Sequence, residues 1–241
     1  MNNKLADNRN FNDISMIAFK YGNSPISIKN VFYDSNTDGE IDISWLFFLI
    51  NYEDRHILVD VGNGNIDIFN AYGFKMRNFY MPSALLYKYG LAPDDITDIF
   101  ITHADFDHIG DMSIYKNADV YIQENELESC RDLMVHNKKI ITFSSSITVM
   151  NKFLLLCVGG HTKGSSIVQF ETGGLKYVLG GDACYVNANL EQQIPTGRTC
   201  NIEQSRKFIS MYNGPDFRVY FSHEPSIVEE DEQIKEIITR N

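Results

Sequence analysis

Several features are scarce in this chain of 241 residues, and each scarcity narrows the class of protein it can be. The four cysteines form no CxxC pair and lie in no small scaffold, so we expect free thiols rather than a disulfide framework. Basic residues are outnumbered, and the formal net charge of −11 argues against a nucleic-acid backbone as the main partner. No apolar run approaches the roughly 20 residues of a membrane span, and residues 1–10 lack the apolar segment of a secretory signal. We therefore expect a cytoplasmic protein that binds neither nucleic acid nor a membrane.

The bulk composition is that of an ordinary globular chain. Hydrophobic residues make up 44% of the sequence and charged residues 22%, and a chain of this length can bury a sizeable core. No internal repeat, linker or low-complexity segment separates two units. The sequence therefore predicts one domain over residues 1–241.

Hydrophobic periodicity predicts strands and helices along the chain. Strands are expected at residues 15–20, 27–33, 43–51, 56–61, 96–102, 118–122, 153–158, 166–171, 176–179 and 218–221. Helices are expected at residues 82–89, 124–134, 203–212 and 226–239. An early block of antiparallel strands followed by alternating helices and strands indicates an α/β (α+β) fold, with two packed sheets and helices outside them.

The most informative segment is residues 102–110, which places two imidazoles and two carboxylates within six positions. These side chains, which directly follow a predicted strand, are His103, Asp105, Asp107 and His108. Burying that much charge without partners costs several kcal/mol. A bound cation would compensate the buried negative charge, so the segment predicts a metal site.

Three further strand ends each carry one side chain that can bind a metal ion. His161 follows an apolar strand and lies among glycines and small residues, Asp182 ends a predicted strand that begins near residue 177, and His223 ends the last predicted strand. One histidine of this kind is usually a satisfied core residue, but together the positions form a pattern. The chain has six histidines, and the other two, His56 and His136, are expected at the surface.

The order His-x-Asp-x-Asp-His-x-Gly, followed by His, Asp and His, resembles the metallo-β-lactamase superfamily of metallohydrolases. The positions that match its motifs are His103, Asp107, His108, Gly110, His161, Asp182 and His223. Tyr185, which follows three residues after the aspartate, and the Ser-His-Glu turn around His223 are closer still to the N-acyl-homoserine lactonase branch. Family strands and helices can be followed from about residue 15 to residue 221, so the resemblance covers nearly the whole chain.

This resemblance implies a four-layer αββα sandwich and a pair of divalent metal ions. The expected ligands are His103, His161 and Asp105 for one ion, Asp107, His108 and His223 for the other, and Asp182 as the bridge. A metal-activated hydroxide would attack an ester or lactone carbonyl of a small molecule. Tyr185 would donate a hydrogen bond to the developing oxyanion, and Asp107 would carry the proton to the leaving group.

Asp105 departs from the family pattern, which has a second histidine at this position. Aspartate is a harder ligand than imidazole and adds negative charge around the first metal. It either coordinates that metal or leaves the position to water. Zinc is the expected metal, and iron or manganese are alternatives because of this aspartate. The alternatives for function are a hydrolase acting on a thioester, phosphodiester or β-lactam, a di-iron redox protein, and a non-catalytic metal-binding protein. Cys184, next to the site in sequence, is expected to be an inert neighbour.

Other segments carry more local expectations. Asp60 ends a predicted strand, and the resemblance implies that it orients a ligand histidine rather than binding metal itself. Residues 63–86, unless their aromatic side chains only fill the core, and residues 186–200 with Arg198 are expected to form the walls of a substrate site that accepts an apolar acyl chain. Residues 34–41 imitate the start of an EF-hand, but a tryptophan occupies the twelfth position, so a hairpin turn is expected there instead of a calcium site.

Overall fold

The computed structural model describes residues 13–240, which form twelve strands and six α-helices. The strands are β1 (Ile14–Ser27), β2 (Glu40–Tyr52), β3 (Arg55–Val59), β4 (Asp98–Phe100), β5 (Asp119–Gln123), β6 (Lys139–Phe143), β7 (Ser146–Val149), β8 (Phe153–Cys157), β9 (Ser166–Thr172), β10 (Leu175–Leu179), β11 (Phe217–Tyr220) and β12 (Ile234–Ile238). The helices are α1 (Ile28–Val31), α2 (Ile66–Ala71), α3 (Pro82–Tyr89), α4 (Glu124–Cys130), α5 (Asn187–Glu191) and α6 (Ile202–Tyr212). The expectation for residues 1–10 lies outside the described part of the chain.

The strands form two mixed sheets. The larger has the order β12-β1-β2-β3-β4-β5-β6, and the smaller has the order β11-β10-β9-β8-β7. In the larger sheet, pairing is antiparallel from β12 to β3 and parallel from β3 to β6. In the smaller sheet, β10 and β11 are parallel and the other neighbours are antiparallel. Because β3 and β4 are parallel, the loops that follow them leave the sheet at the same edge.

Strand β1 illustrates how both faces of the larger sheet are buried. Ile14, Met16 and Ala18 belong to the core between the two sheets, whereas Ile17 and Phe19 belong to a second core on the opposite face. Side chains alternate between the faces of a strand, so each of these residues is assigned by its position. Because both faces of β1 are buried, its sequence contains a continuous apolar run. A strand with one face in water would instead alternate apolar and polar residues.

Helices cover the outer face of each sheet. Phe69 of α2 and Leu85 of α3 pack in the core outside the larger sheet. Phe208 of α6 packs with Ile167 and Val178 in a third core outside the smaller sheet. The order of layers is helix, sheet, sheet, helix, which confirms the predicted αββα sandwich.

Two secondary-structure predictions are wrong. Residues 27–33 do not form a strand, because β1 ends at Ser27, whose hydroxyl accepts a hydrogen bond from the Lys29 amide and caps α1. Residues 226–239 do not form a helix. Their apolar positions suit helical spacing, but β12 instead pairs with the edge of β1, where the backbone of β1 needs partners. Strands β6 and β7 were not predicted from the sequence.

The four cysteines are free, as expected. None of the helices formed by residues 13–240 combines the length and the apolar character needed to cross a bilayer.

Candidate metal centre

Side chains from both sheets meet at one end of the sandwich. The loop after β4 contributes residues 103–108, and the segments after β8, β10 and β11 contribute His161, Asp182 and His223. The buried members are His103, Asp107, His108, His161, Asp182 and His223. The side chain of Asp105 is the exception, at 41% exposed. The structure thus brings together all seven predicted ligands, and their roles as ligands remain predictions.

Within the described residues, these side chains form two groups in which the ligand atoms all lie within 4.8 Å of one another. We call Asp107, His108, Asp182 and His223 the four-residue group. We call His103, His161 and Asp182 the three-residue group. Asp182 belongs to both, as a bridging ligand must.

The two oxygens of Asp182 face different groups. Its Oδ1 lies 3.2 Å from Nε2 of His108 and 3.2 Å from Nε2 of His223. Its Oδ2 lies 3.6 Å from Nε2 of His161 and 3.8 Å from Nε2 of His103. The Asp182 carboxylate therefore faces the four-residue group with Oδ1 and the three-residue group with Oδ2.

Asp105 lies beside the three-residue group. Its Oδ2 is 3.0 Å from Nε2 of His161 and 3.6 Å from Nε2 of His103. A carboxylate at this place can add a hard oxygen donor to that half of the cluster. Since the Asp105 side chain is partly exposed, this part of the cluster is also the more open one.

All four imidazoles point Nε2 into the cluster because Nδ1 meets a polar atom behind the ring. The partners of Nδ1 are the Thr102 hydroxyl for His103 at 3.1 Å, the Asp60 carboxylate for His108 at 2.8 Å, the Arg198 carbonyl for His161 at 2.6 Å and the Ser44 carbonyl for His223 at 3.1 Å. Histidines that bind metal ions are usually oriented by such a partner on the other ring nitrogen.

Asp60 acts behind the cluster, as the sequence predicted. It follows β3 with a φ of +57°, an unusual conformation for a residue other than glycine. Its carboxylate accepts hydrogen bonds of 2.8 Å from the Thr102 amide and the Thr102 hydroxyl, and it contacts Nδ1 of His108. The strained backbone thus holds one carboxylate against both the loop and the ring of His108.

Glu126 is a residue of the site that sequence reasoning missed. This side chain of α4 is buried, and its Oε2 accepts a hydrogen bond of 2.9 Å from the Ala104 amide. Its Oε1 accepts from the Gly164 amide at 2.8 Å and from the Thr162 hydroxyl at 2.7 Å. One carboxylate therefore ties the loop of His103 to the loop of His161. No local signal marks it, because it is one acid among several on a polar helix.

Tyr21 and Glu224 are two further buried residues, and the sequence assigned neither of them a role of its own. The Tyr21 hydroxyl, from β1, donates a hydrogen bond of 2.9 Å to the carbonyl of Asp107. Oε2 of Glu224 accepts a hydrogen bond of 2.6 Å from the Asn187 amide, which joins the His223 turn to the start of α5. Both fix backbone next to predicted ligands.

The pKa values of the cluster's own side chains show how strongly their charges depend on one another. Burial alone would lower the pKa of His223, but the carboxylates of Asp182 and Asp107 raise it to about 10. The same opposition leaves the pKa of His108 well above its ordinary value. Burial would raise the pKa of Asp182, yet the neighbouring His223 and His108 hold it well below the usual range. The buried carboxylates are therefore stable in their charged form only when positive charge, from imidazolium groups or from metal ions, lies beside them.

Three buried atoms test whether a metal pair suits these residues. Among the described residues, Nε2 of His103, Nε2 of His108 and Oδ1 of Asp182 have no hydrogen-bond partner. The last two are close to each other but not aligned as a hydrogen bond. An unsatisfied buried polar atom costs about 1–3 kcal/mol. All three are metal-ligand atoms directed into the cluster, so the donor set fits a dinuclear site.

A cleft of about 850 Å³ opens onto the cluster. Asp107, Asp182, Tyr185 and His223 are among the residues that line it. The Tyr185 ring centroid lies 5.0 Å from that of His223 and 5.8 Å from that of His161. Burial, followed by the charges of Asp182 and Asp107, raises the pKa of the Tyr185 phenol well above 10. The phenol therefore keeps its proton and can donate a hydrogen bond.

Residues 63–86 are divided between the cleft and the core. Ile68, Tyr72, Phe74 and Met81 line the cleft, and Arg198 lines it from the second predicted wall. Phe69, by contrast, is fully buried in the core. The segment therefore both lines the cleft and fills the core.

Two local alternatives are also placed by the structure. Cys184 is fully buried in the core around α6 and belongs to neither metal group of the described residues. Residues 34–38 form the connection between α1 and β2, where Asp38 pairs with Lys29. This segment also contributes to neither group.

Comparison with known proteins agrees with this geometry. The sequence profile described as the metallo-beta-lactamase superfamily matches residues 46–133. An N-acyl homoserine lactonase from Bacillus cereus is 26% identical over 168 residues, which cover 61% of this chain and 67% of the relative.

Two solved structures share the fold. A probable metal-dependent hydrolase from Staphylococcus aureus has a TM-score of 0.72 at 21% identity, with 89% of this chain and 91% of that chain covered. A variant of AiiA from Bacillus thuringiensis, with N-decanoyl-L-homoserine bound at its active site, has a TM-score of 0.76 at 20% identity, with 88% and 94% covered. The chain therefore has the metallo-β-lactamase fold, and its residues 46–133 match the sequence profile of that superfamily.

Proposed function

We propose that this chain is a metal-dependent hydrolase that cleaves an ester or lactone bond in a small molecule, in the manner of the N-acyl homoserine lactonases among its relatives. The observation that carries the proposal is the buried cluster of histidine and aspartate at the floor of a cleft, with a protonated phenol beside it. A metal pair held by such a cluster would activate water, and the phenol can donate a hydrogen bond to the oxyanion that develops.

The two groups of the cluster divide the predicted ligands between two ions. His103, His161 and Asp105 would hold one, Asp107, His108 and His223 would hold the other, and Asp182 would contact both. Bound divalent ions supply a water of lowered pKa and polarise a carbonyl oxygen. We infer zinc, iron or manganese as the metal, since imidazole and carboxylate suit all three.

Tyr185 stabilises the negative charge that develops on the carbonyl oxygen. The phenol lines the cleft next to both halves of the cluster, and burial keeps it protonated. A hydrogen bond to this oxygen strengthens as charge accumulates in the transition state, so it accelerates the reaction rather than only binding the substrate.

Asp107 transfers a proton from the attacking water to the leaving group. Its carboxylate lines the cleft, and the Tyr21 hydroxyl holds its backbone carbonyl. In hydrolysis the oxygen of water bonds to the carbonyl carbon, the bond to the alkoxy oxygen breaks, and a proton from water ends on that oxygen. Asp107 accepts this proton and delivers it to the leaving alkoxide. A lactone thereby yields one hydroxy acid, and an ester yields an acid and an alcohol.

An apolar acyl group suits the wall of the cleft. Ile43, Trp45, Ile68, Phe74 and Met81 line it, and the Trp45 ring lies 4.7 Å from the His223 ring, measured between centroids. An acyl chain placed against these side chains would remove apolar surface from water. The wall begins directly at the cluster, so the chain can extend along it from a carbonyl at the floor.

The test is a substrate panel run on protein of known metal content. Zinc-, iron- and manganese-loaded protein is assayed with an N-acyl homoserine lactone, an aryl ester, a thioester and a phosphodiester, with elemental analysis of each sample. We expect lactone or ester hydrolysis that is lost in His103→Ala and kept in His136→Ala, which changes an exposed histidine outside the cluster. Cleavage of the phosphodiester alone, or of no substrate by metal-loaded protein, would contradict the proposal.

A further inference from the structure

Arg198 is the one lysine or arginine among the described residues that line the cleft. The carboxylates of Glu40, Asp105 and Asp111 line the same cleft. Within residues 13–240, the hydrogen bonds of Arg198 are made by its backbone carbonyl, and its guanidinium takes part in no ion pair. The cleft therefore contains one positive side chain without a partner of its own.

The backbone that carries this arginine is fixed on both sides. The Gly197 amide donates a hydrogen bond of 2.9 Å to the carbonyl of Asn30 in α1, and the Cys200 amide donates one of 2.7 Å to the carbonyl of Gly160. A β-carbon at position 197 would lie 1.8 Å from the carbonyl oxygen of Lys29, so the loop lies directly against α1. Because the backbone is fixed in this way, a ligand would have to order the arginine side chain but not the loop that carries it.

The loop is also joined to the metal cluster. The carbonyl of Arg198 accepts the hydrogen bond from Nδ1 of His161, and the Thr196 hydroxyl donates to the same carbonyl at 3.2 Å. The guanidinium is within electrostatic reach of Tyr185: burial and then Asp182 and Asp107 raise the pKa of that phenol, and the charge of Arg198 acts in the opposite direction. The backbone of Arg198 is thus fixed beside the metal cluster, and its exposed guanidinium lines the cleft.

We propose that Arg198 is an anion subsite, and that the substrate is an ester or lactone that carries a carboxylate on its acyl or alcohol part. The planar guanidinium can bind a carboxylate through two parallel hydrogen bonds, which gives direction as well as attraction. This inference rests on the proposed hydrolase function and narrows its substrate class. An acyl chain on the apolar wall would not occupy this anion subsite, because Arg198 lies in the segment of residues 186–200 and the wall is formed by other segments.

A pair of substrates that differ in one charge tests the proposal. The 4-nitrophenyl monoester of suberic acid and its methyl ester share the scissile bond and the chain, and only the first carries a carboxylate. We expect the metal-loaded protein to favour the charged ester by roughly 5- to 50-fold in kcat/KM, mostly through KM, as for a hydrogen bond between charged groups. Added salt should reduce the preference.

Variants assign the preference to the side chain. Arg198→Ala should remove it and Arg198→Lys should keep part of it. Arg206→Ala removes the same charge from α6, where Arg206 pairs with Glu203, and should leave the preference intact. Calorimetric titration with the two corresponding amides, which are not cleaved, should show the same difference in binding. Because the backbone carbonyl is retained in each variant, metal content should not change.

The outcomes separate this inference from the proposed function. If both esters are cleaved equally, or if the preference survives in Arg198→Ala, the anion subsite is wrong while the hydrolase stands. If neither ester is cleaved but the charged amide binds more tightly and loses this advantage in Arg198→Ala, the subsite stands and the hydrolase function fails.

Discussion

The two halves of the metal cluster differ in how far their side chains are shielded from solvent. In the four-residue group every side chain is buried, and its two imidazoles are held from behind by Asp60 and by the Ser44 carbonyl. The three-residue group is completed on one side by Asp105, whose side chain is partly exposed. Closed donor sets retain an ion, whereas sites that exchange water or substrate keep a position open. We therefore expect the ion of the four-residue group to be held more tightly.

The residue common to both halves should give the largest effect. Asp182→Ala removes one oxygen donor from each group, so we expect loss of both ions and a fall in activity of roughly 1000-fold or more, beyond the 10- to 100-fold typical of changes behind the ligands. Elemental analysis and native mass spectrometry measure the ions. His136→Ala serves as the matched control outside the cluster. Retention of both ions in Asp182→Ala would show that the two groups do not share this carboxylate.

Tyr185 lies against both halves, so its removal should affect catalysis without separating them. Tyr185→Phe keeps the ring and removes the phenol, and we expect kcat to fall by roughly 10- to 1000-fold, the scale of one oxyanion donor, with a smaller change in KM. Metal content should stay at the wild-type value. Tyr212→Phe, which removes a phenol outside the cleft, is the control. An unchanged kcat on both esters and lactones would remove Tyr185 from the mechanism.

The candidate ligands could be found from the sequence because residue types that bind metal ions recur at the ends of its predicted strands. His103, Asp107 and His108 follow one strand, and few roles other than metal binding would suit so many buried polar side chains. Glu126 could not be predicted, because its role depends on two loops that meet it only in the folded chain. A residue such as Glu126, which bonds to two loops distant in sequence, produces no recognisable sequence motif.

The fold was predictable to a similar extent and for a similar reason. Continuous apolar runs identified β1 and β2, since both faces of these strands are buried. The last segment was predicted as a helix and is β12, because the edge of β1 decides its conformation more strongly than its own spacing of apolar residues. Short edge strands such as β6 and β7 carry too few buried residues to be recognised.

A pair of variants behind the ligands can sharpen the comparison of the two halves. Asp60 contacts His108 of the four-residue group, whereas Glu126 ties together the loops that carry the three-residue group. Asp60→Asn and Glu126→Gln should each weaken one ion by roughly 10- to 100-fold. In a chelator titration followed by native mass spectrometry, the wild type should lose its ions in two steps. Asp60→Asn should bring the steps together, and Glu126→Gln should move them apart.

Equal displacement of both steps by either variant would contradict this assignment. It would mean that the cluster behaves as one unit whose halves cannot be tuned separately. A shift in the order opposite to the one expected would mean that the partly exposed half binds its ion more tightly. Circular dichroism of each metal-free variant checks that its fold is retained.

The smallest effect is expected at Asp105, the residue that makes the open half unlike a histidine-rich site. Asp105→His replaces a hard oxygen donor with an imidazole beside His103 and His161, so zinc should be favoured over manganese by a few-fold, about 2- to 10-fold, relative to the wild type. Elemental analysis after loading with equal amounts of the two metals measures the ratio. Asp111→His makes the same change at another acid that lines the cleft and should leave the ratio unaltered. If Asp105→His is equally indifferent, Asp105 is not a ligand, and the open half holds its ion with His103, His161 and Asp182 alone.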